Sequence, residues 1–144
     1  MAKKTVFLVE DEALLRDLFA EYVGLLPDVE YLGSCGDGQE AMSRTLELKP
    51  DILILDIRLP EVNGLEILNL LSRKLPDTRI LVFSGTVSHQ SVQMAIECNA
   101  AGYIEKSFGL EALKHGIEAI GRGERYFTEN AARIARTISG ESPT

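Results

Sequence analysis

Five residues whose side chains suit phosphoryl chemistry each follow a short apolar segment of this 144-residue chain: Glu10, Asp11, Asp56, Ser84 and Lys106. Carboxylates that share a cleft repel one another by about 4 kcal/mol per pair at about 4 Å and an effective dielectric of about 20. A hard divalent cation offsets that repulsion, and Mg²⁺ fits best because it binds through one or two carboxylates and keeps waters for a phosphoryl group. A hydroxyl and an ammonium on the opposite rim would hold such a group for transfer.

The positions of these residues, more than their identities, indicate a site. Taken singly, an acid at the end of a strand is usually a solvated boundary residue, and a serine or lysine there is usually a turn or surface residue. Open parallel sheets bind ligands beyond the carboxyl ends of their strands, and all of these residues fall at such ends. With Asp56 as the nucleophile, the product would be an acyl phosphate.

Two hydrophobic periodicities alternate along the chain. Apolar runs predict five strands, at 5–9, 29–35, 52–55, 79–83 and 101–105. Apolar residues at three- and four-residue spacing predict five helices, at 12–26, 38–48, 62–75, 88–99 and 109–121. Strands that alternate with helices predict an α/β fold with a parallel sheet covered on both faces.

The composition limits the class of protein. A net charge of −7 disfavours a nucleic-acid or anionic membrane surface as partner, because such partners require clustered Lys and Arg. An apolar fraction of 45% argues against disorder. No segment approaches the ~18 apolar residues of a membrane span, and the N-terminus lacks the pattern of a signal peptide. We therefore expect a soluble, cytoplasmic protein with no membrane partner, in which Cys35 and Cys98 are reduced thiols.

Four segments, taken together, resemble the receiver domains of bacterial two-component response regulators: FLVEDE, ILILDIRLPEVNGLE, LVFSGT and AGYIEKS. The first is similar to the acid pair after the family's first strand, and the second to its phospho-acceptor signature. The third resembles the strand that ends in Thr or Ser, and the last resembles the segment that places a switch aromatic residue before an essential lysine. The resemblance covers residues 4–121. It implies a flavodoxin-like, doubly wound sheet of five parallel strands in the order 2-1-3-4-5, with five flanking helices.

The resemblance also implies roles for individual residues. Asp56 would be phosphorylated by a sensor histidine kinase, with Mg²⁺ as the cofactor. The implied protein ligands of Mg²⁺ are Glu10, Asp11, Asp56 and the backbone carbonyl of Arg58. The residues implied to contact the phosphoryl group are Lys106 and Ser84, and the implied switch residues are Ser84 and Tyr103. The chain would be a signalling switch rather than an enzyme, with only self-catalysed phosphoryl transfer and dephosphorylation.

The chain departs from the family pattern beside the essential lysine. The family usually has a proline there, joined by a cis peptide bond, whereas Ser107 follows Lys106 in this chain. A cis bond to a non-proline residue costs about 2.5–4 kcal/mol, so we predict a trans Lys106–Ser107 bond or a strained loop. The placement of Lys106 depends on that bond. Pro60 and Asn63-Gly64 are expected to shape the loop that positions the acceptor.

The end of the chain, IGRGERYFTENAARIA, is similar to the end of receivers in NarL/LuxR-type regulators, where a helix-turn-helix domain follows through a linker. We predict a receiver domain over 1–123. Residues 124–144 are predicted to form a short extra helix at 129–138, capped by Thr128, and a linker toward an output domain that this chain lacks. The output would be transcriptional, and DNA would be contacted only through that domain. A homodimer on phosphorylation is compatible with the family, and a cut regulator and a stand-alone receiver both stay open.

Other functions also remain open. A Mg²⁺-dependent aspartyl phosphohydrolase of the haloacid-dehalogenase type usually needs a second acid two residues after its nucleophile, where this chain has Arg58. A degenerate receiver would bind protein partners without phosphorylation, and Ser107 leaves that alternative open. A flavin phosphate would require a Ser/Thr/Gly-rich loop after the first strand. This chain has Glu10-Asp11-Glu12 there, which would repel it.

Overall fold

A parallel β-sheet with helices on both faces forms the centre of the computed structural model, which describes residues 3–60 and 62–140. The strands are β1 (Lys4–Val9), β2 (Val29–Cys35), β3 (Ile52–Leu55), β4 (Arg58–Leu59), β5 (Val62–Asn63), β6 (Arg79–Ser84), β7 (Gly102–Glu105) and β8 (Tyr126–Phe127). The helices are α1 (Ala13–Gly24), α2 (Gly38–Leu48), α3 (Gly64–Lys74), α4 (His89–Glu97), α5 (Gly109–Gly121) and α6 (Glu129–Ile138). A 3₁₀ turn over Lys106–Phe108 precedes α5.

Among the described residues the main sheet has six strands in the order β2-β1-β3-β6-β7-β8, and all neighbouring strands are parallel. Its first five strands are the predicted ones, and their order is the 2-1-3-4-5 that the resemblance implied. The predicted count of five is wrong by one. The N–H groups of Tyr126 and Thr128 donate to the carbonyls of Ala101 and Tyr103 at 3.0 Å and add β8 to the sheet. The sequence gives no signal for β8 because a two-residue strand is too short to show a period of two.

The strand β3 lies inside the sheet, and all four of its residues are buried. Alternate side chains of a strand point to opposite faces, so a hydrophobic core lies on each side. The β1 and β3 residues in the core formed with α2, α3, α4 and α6 are Phe7, Val9, Leu53 and Leu55. Those in the core formed with α1 and α5 are Val6, Leu8, Ile52 and Ile54. Full burial of such a side chain contributes about 1.5–3 kcal/mol, so these strands form a firm base for the residues at their ends.

A small antiparallel hairpin replaces the start of the predicted third helix. The strands β4 and β5 pair with each other, and α3 begins at Gly64 rather than at Val62. Asn63 caps the helix, because its Oδ1 accepts the N–H of Leu65 at 3.0 Å. The hairpin begins two residues after Asp56 and therefore forms one wall beside it.

The C-terminal helix α6 packs against α4 and β7 and buries Ala131 completely. Thr128 precedes the helix, but its side chain makes no capping hydrogen bond. Its hydroxyl instead accepts the Glu105 N–H at 3.3 Å and donates to the Tyr103 carbonyl at 3.4 Å. The capping prediction is wrong because β7 engages the hydroxyl. Residues 141–144 of the predicted linker lie outside the described residues.

The cysteines are free thiols, as predicted. Burial raises the pKa of the Cys35 thiol to about 11, so this side chain is a neutral member of the core at physiological pH. Over residues 3–60 and 62–140, no helix is both long enough and apolar enough to cross a membrane.

Candidate functional site

Neighbouring strands bring the acidic residues together. Val9 of β1 lies opposite Leu55 of β3, so Glu10 and Asp56 leave the sheet side by side. The Asp56 N–H donates to the Val9 carbonyl at 3.0 Å and extends the pairing by one residue. Carboxylate oxygens of Glu10, Asp11 and Asp56 all lie within 4.8 Å of one another. Glu10 and Asp56 are buried, whereas Asp11 is exposed to solvent.

Lys106 reaches this acidic cluster from the end of β7. Its Nζ lies 2.8 Å from Asp56 Oδ2 and 2.5 Å from Glu10 Oε1. None of the peptide bonds in the described ranges is cis, so the bond from Lys106 to Ser107 is trans, as predicted. The chain continues from Lys106 directly into the 3₁₀ turn. The lysine therefore contacts both buried acids without the proline that the family usually has.

The charges of the cluster are only partly balanced. Burial raises the pKa of Glu10, against the lowering effect of Lys106 and of the Glu12 N–H, which donates to Glu10 Oε2 at 3.1 Å. Burial lowers the pKa of Lys106, but the hydrogen bonds to Asp56 and Glu10 outweigh burial and leave that pKa raised. Lys106 is therefore a cation at neutral pH, and one ammonium faces three carboxyl groups.

The donor set fits a hard divalent cation. All three acidic side chains offer carboxylate oxygens, which are the ligands that Mg²⁺ prefers. The cluster opens into a cleft of about 450 Å³ lined by Asp11, Asp56, Arg58, Leu59, Pro60, Gly85 and Lys106. The cleft has room for a hydrated ion and a phosphoryl group. The exposure of Asp11 suits an ion that keeps part of its water shell.

Each carboxylate oxygen of Asp56 has its own donor. Oδ1 accepts the backbone N–H of Arg58 at 2.9 Å, and Oδ2 accepts from Lys106 Nζ at 2.8 Å. The carboxylate orientation is thereby fixed from two sides. The Arg58 guanidinium extends across the cleft to 3.5 Å from Thr86 Oγ1. The family resemblance assigns a role to the backbone carbonyl of Arg58, as a metal ligand, and that role stays a prediction.

The two residues expected to act as a switch are both fully buried. Ser84 ends β6, and its Oγ accepts the Thr86 N–H at 3.3 Å. The cleft is lined by Gly85 rather than by Ser84. The Tyr103 ring lies inward, and its hydroxyl donates to the Thr86 carbonyl at 2.8 Å. Tyr103 is buried rather than on an edge strand because β8 covers β7.

Ser91 is a partner of Tyr103 that the sequence analysis missed. Its Oγ lies 2.8 Å from the Tyr103 hydroxyl. Ser91 also closes a capping box at the start of α4, in which its N–H donates to Ser88 Oγ and the Ser88 N–H donates to Ser91 Oγ, each at 3.0 Å. Tyr103 therefore joins the loop at Thr86 to the first turn of α4. The Ser-x-x-Ser spacing at 88–91 is the signal that would have indicated the cap.

Gly64 makes room for the backbone that follows Asp56. A Cβ at Gly64 would overlap the carbonyl group of Ile57, the residue after Asp56. We expect Gly64→Ala to lower the free energy of unfolding by about 1–3 kcal/mol, because backbone atoms cannot yield as a flexible side chain does. Urea denaturation followed by far-UV circular dichroism measures this. Gly85→Ala is the matched control, since a Cβ there meets nothing within 4 Å. Equal stability of the Gly64 variant would contradict the close approach.

A family model described as the response regulator receiver domain matches residues 6–118. The chain is 32% identical over 127 residues to the DNA-binding transcriptional activator DevR/DosR of Mycobacterium tuberculosis, a match that covers 88% of this chain and 58% of that protein. It is 30% identical over 125 residues to the nitrate/nitrite response regulator protein NarL of Escherichia coli, which covers 87% of this chain and 58% of that protein. The chain thus spans little more than half the length of these relatives.

Solved structures share the architecture. A two-component response regulator of the LuxR family from Aurantimonas sp. aligns with a TM-score of 0.86 and 27% identity, covering 96% of this chain and 99% of that chain. The response regulator domain of CheB from Thermotoga maritima aligns with a TM-score of 0.66 and 31% identity, covering 74% of this chain and 81% of that chain. The isolated REC domain of RcsB from Salmonella enterica agrees in fold alone, at 18% identity.

Proposed function

This chain belongs to the response regulator receiver family, and from that premise we propose that Asp56 accepts a phosphoryl group from a sensor histidine kinase. Receivers of this NarL/LuxR type are signalling switches of two-component systems. One observation carries the assignment to Asp56. Its carboxylate lies within 4.8 Å of two further acids and is ion-paired to Lys106 at 2.8 Å. That arrangement provides a nucleophile, a cation site and a fixed positive charge in one cleft.

In the proposed transfer, a carboxylate oxygen of Asp56 attacks the phosphorus of the kinase phosphohistidine. The bond from phosphorus to the imidazole nitrogen breaks, and its electron pair leaves with that nitrogen. The product is an acyl phosphate on Asp56 and a free histidine on the kinase. Lys106 is fixed beside Asp56 Oδ2 and would then pair with a phosphoryl oxygen.

Glu10, Asp11 and Asp56, with the backbone carbonyl of Arg58, would hold the Mg²⁺ ion. The fit rests on an all-oxygen donor set and on negative charge that one lysine does not balance. When bound, Mg²⁺ neutralises charge that develops on the transferring phosphoryl oxygens. One carboxylate oxygen of the buried Glu10 accepts a hydrogen bond from the Glu12 N–H, which orients the carboxylate before any ion binds.

We propose that Ser84 and Tyr103 convert phosphorylation into a change of shape. The Ser84 hydroxyl, whose oxygen accepts the Thr86 N–H, would turn to donate its O–H to a phosphoryl oxygen, and the loop at Thr86 would move with it. The Tyr103 hydroxyl binds the Thr86 carbonyl and Ser91 together, so that movement reaches the first turn of α4. The added charge at Asp56 would thus act through the loop at Thr86 on the start of α4.

The output that this receiver controls in the whole protein is also part of the proposal. We propose that residues 1–123 act as the receiver and that 124–144 connect it to a DNA-binding output domain. The relatives named above are described as a DNA-binding activator and a response regulator, and both are longer than this chain. A homodimer formed on phosphorylation is part of this proposal.

Incubation with phosphoramidate and Mg²⁺, followed by intact mass measurement, tests the proposed function. We expect one added phosphoryl group per chain, and a much slower gain when EDTA removes the metal. Absence of an adduct on the folded protein would indicate a degenerate receiver. Multiple turnovers of a generic phosphate ester would instead indicate a phosphohydrolase.

A further inference from the structure

Arg16 lies beside the acid pair, although the start of a helix disfavours a cation. It lies in the first turn of α1, and the N-terminal end of a helix carries a partial positive charge. Its side chain turns back past the helix start, and Nη1 donates to the Glu10 carbonyl at 3.0 Å. The same nitrogen lies 3.5 Å from the Asp11 carbonyl. The guanidinium therefore contacts the backbone of both residues of the acid pair.

The end of β2 leaves space for this guanidinium. A Cβ on Gly36 would overlap Arg16 Nη1, and it would lie 3.5 Å from the Glu10 carbonyl oxygen. The Glu10 N–H donates to the Cys35 carbonyl at 3.0 Å, so the loops after β1 and β2 are already joined there. Glycine at position 36 lets the guanidinium lie in that junction, half-buried and against main chain.

We propose that Arg16 is a positioning residue for the divalent cation. By binding the carbonyls of Glu10 and Asp11, it holds the main chain of the acid pair so that both carboxylates face Asp56. Arg16 supplies no ligand and touches no reacting atom. The inference rests on the proposed function, because it requires that these three acids bind a metal ion.

A positioning role and a simple charge effect predict opposite changes in Mg²⁺ affinity when Arg16 is removed. If Arg16 acted only through its charge, its removal would make the site more negative and Mg²⁺ would bind more tightly. If Arg16 positions the acid pair, its removal frees the Glu10–Asp11 backbone, and Mg²⁺ binds more weakly. Groups that orient metal ligands typically change metal affinity by about 10–100-fold. We expect a loss of about tenfold, since Arg16 acts through backbone rather than on the carboxylates.

Mg²⁺ titration of the full chain, read by backbone amide shifts of Asp11 and Glu12 in NMR spectra, tests the inference without any phosphodonor. Arg16→Met is expected to weaken Mg²⁺ binding about tenfold. Gly36→Ala keeps the arginine charge but fills its space, and it is expected to weaken binding in the same direction. Arg44→Met is the matched control. Arg44 Nη1 also donates to a backbone carbonyl, that of Ser34 at 2.9 Å, but it does not contact the acid pair.

The same variants separate positioning from general destabilisation. Phosphorylation of Arg16→Met by phosphoramidate is expected to need about tenfold more Mg²⁺ for half-maximal rate, with the rate at saturating Mg²⁺ close to that of the unchanged chain. Unaltered or tighter Mg²⁺ binding in Arg16→Met would overturn the inference, whatever Gly36→Ala does. An equal loss in Arg44→Met would also overturn it. If the unchanged chain itself binds no Mg²⁺, the cation site of the proposed function fails. If the unchanged chain binds Mg²⁺ and Arg16→Met binds it equally well, only the inference about Arg16 fails.

Discussion

Replacement of Asp56 by asparagine is expected to abolish the phosphoryl adduct completely. An amide oxygen is a far weaker nucleophile than a carboxylate, and the variant removes one of the three acids around the cation site. The Arg58 N–H lies 2.9 Å from Asp56 Oδ1, and the amide oxygen of asparagine can accept the same hydrogen bond. The fold of the variant should therefore survive. Intact mass after incubation with phosphoramidate and Mg²⁺ measures the result.

Asp51→Asn is the matched control for that experiment. Asp51 precedes β3, at the opposite end of the same strand, and it accepts hydrogen bonds from the N–H and hydroxyl of Thr5 at 2.8 and 3.1 Å. It lies away from the cleft, so the adduct should form as in the unchanged chain. A persistent adduct in Asp56→Asn would move the acceptor to another residue, which peptide mapping would then identify.

Replacement of Lys106 by methionine is expected to cause the largest loss of stability at the site. It leaves Glu10 and Asp56 buried without the ammonium that contacts both. Breaking a buried ion pair typically costs about 3–5 kcal/mol. We expect the free energy of unfolding to fall by about 3 kcal/mol, the low end of that range, because the Lys106 side chain is 18% exposed to solvent. Urea denaturation in EDTA at neutral pH measures the difference from the unchanged chain.

The pH dependence of that difference follows from the two raised pKa values. Glu10 binds its proton more tightly when folded, so acidification from neutral pH toward its ordinary value of 4.5 protonates it first in the folded state and favours folding. Loss of Lys106 removes an influence that lowers this pKa, so acid should restore more stability to the variant. Lys106 stabilises the unchanged chain below its ordinary pKa of 10.5, and that contribution is lost as pH rises through the raised folded value. The difference in stability between the Lys106 variant and the unchanged chain should therefore shrink both below and above neutral pH.

Mg²⁺ should restore part of the lost stability, because a cation that binds the folded chain favours it by mass action. Arg122→Met is the control, since it breaks the exposed ion pair with Glu124 and is expected to change stability little. A Lys106 variant as stable as the unchanged chain in EDTA, at all pH values, would contradict the buried ion pair.

The acidic cluster was predictable because sheet geometry determines it. In a parallel sheet the carboxyl ends of neighbouring strands meet at one edge, so Glu10 and Asp56 had to lie close together once β1 and β3 were paired. The trans bond after Lys106 was predictable from the intrinsic cost of a cis bond without proline.

The contacts that orient the site were not predictable in the same way. The bonds from the Arg58 N–H to Asp56 and from Arg16 to the Glu10 carbonyl depend on loop conformations that no periodicity describes. Thr128 illustrates a competition between partners. Its position before α6 suits a cap, yet tertiary packing brings the Tyr103 carbonyl and the Glu105 N–H within reach of its hydroxyl. The sequence alone does not show which of these partners the Thr128 hydroxyl will bind.

The pairing of β8 with β7 has a consequence for how copies of this chain can associate. An unpaired edge strand offers its N–H and C=O groups to another chain, which is a common route to intermolecular sheets and aggregation. On this side of the sheet the four-residue β7 is covered, and within residues 3–60 and 62–140 the two-residue β8 forms the edge. So short a strand is a poor template for strand addition. Self-association on this side should therefore proceed through the side chains of helices rather than through a continuous intermolecular sheet.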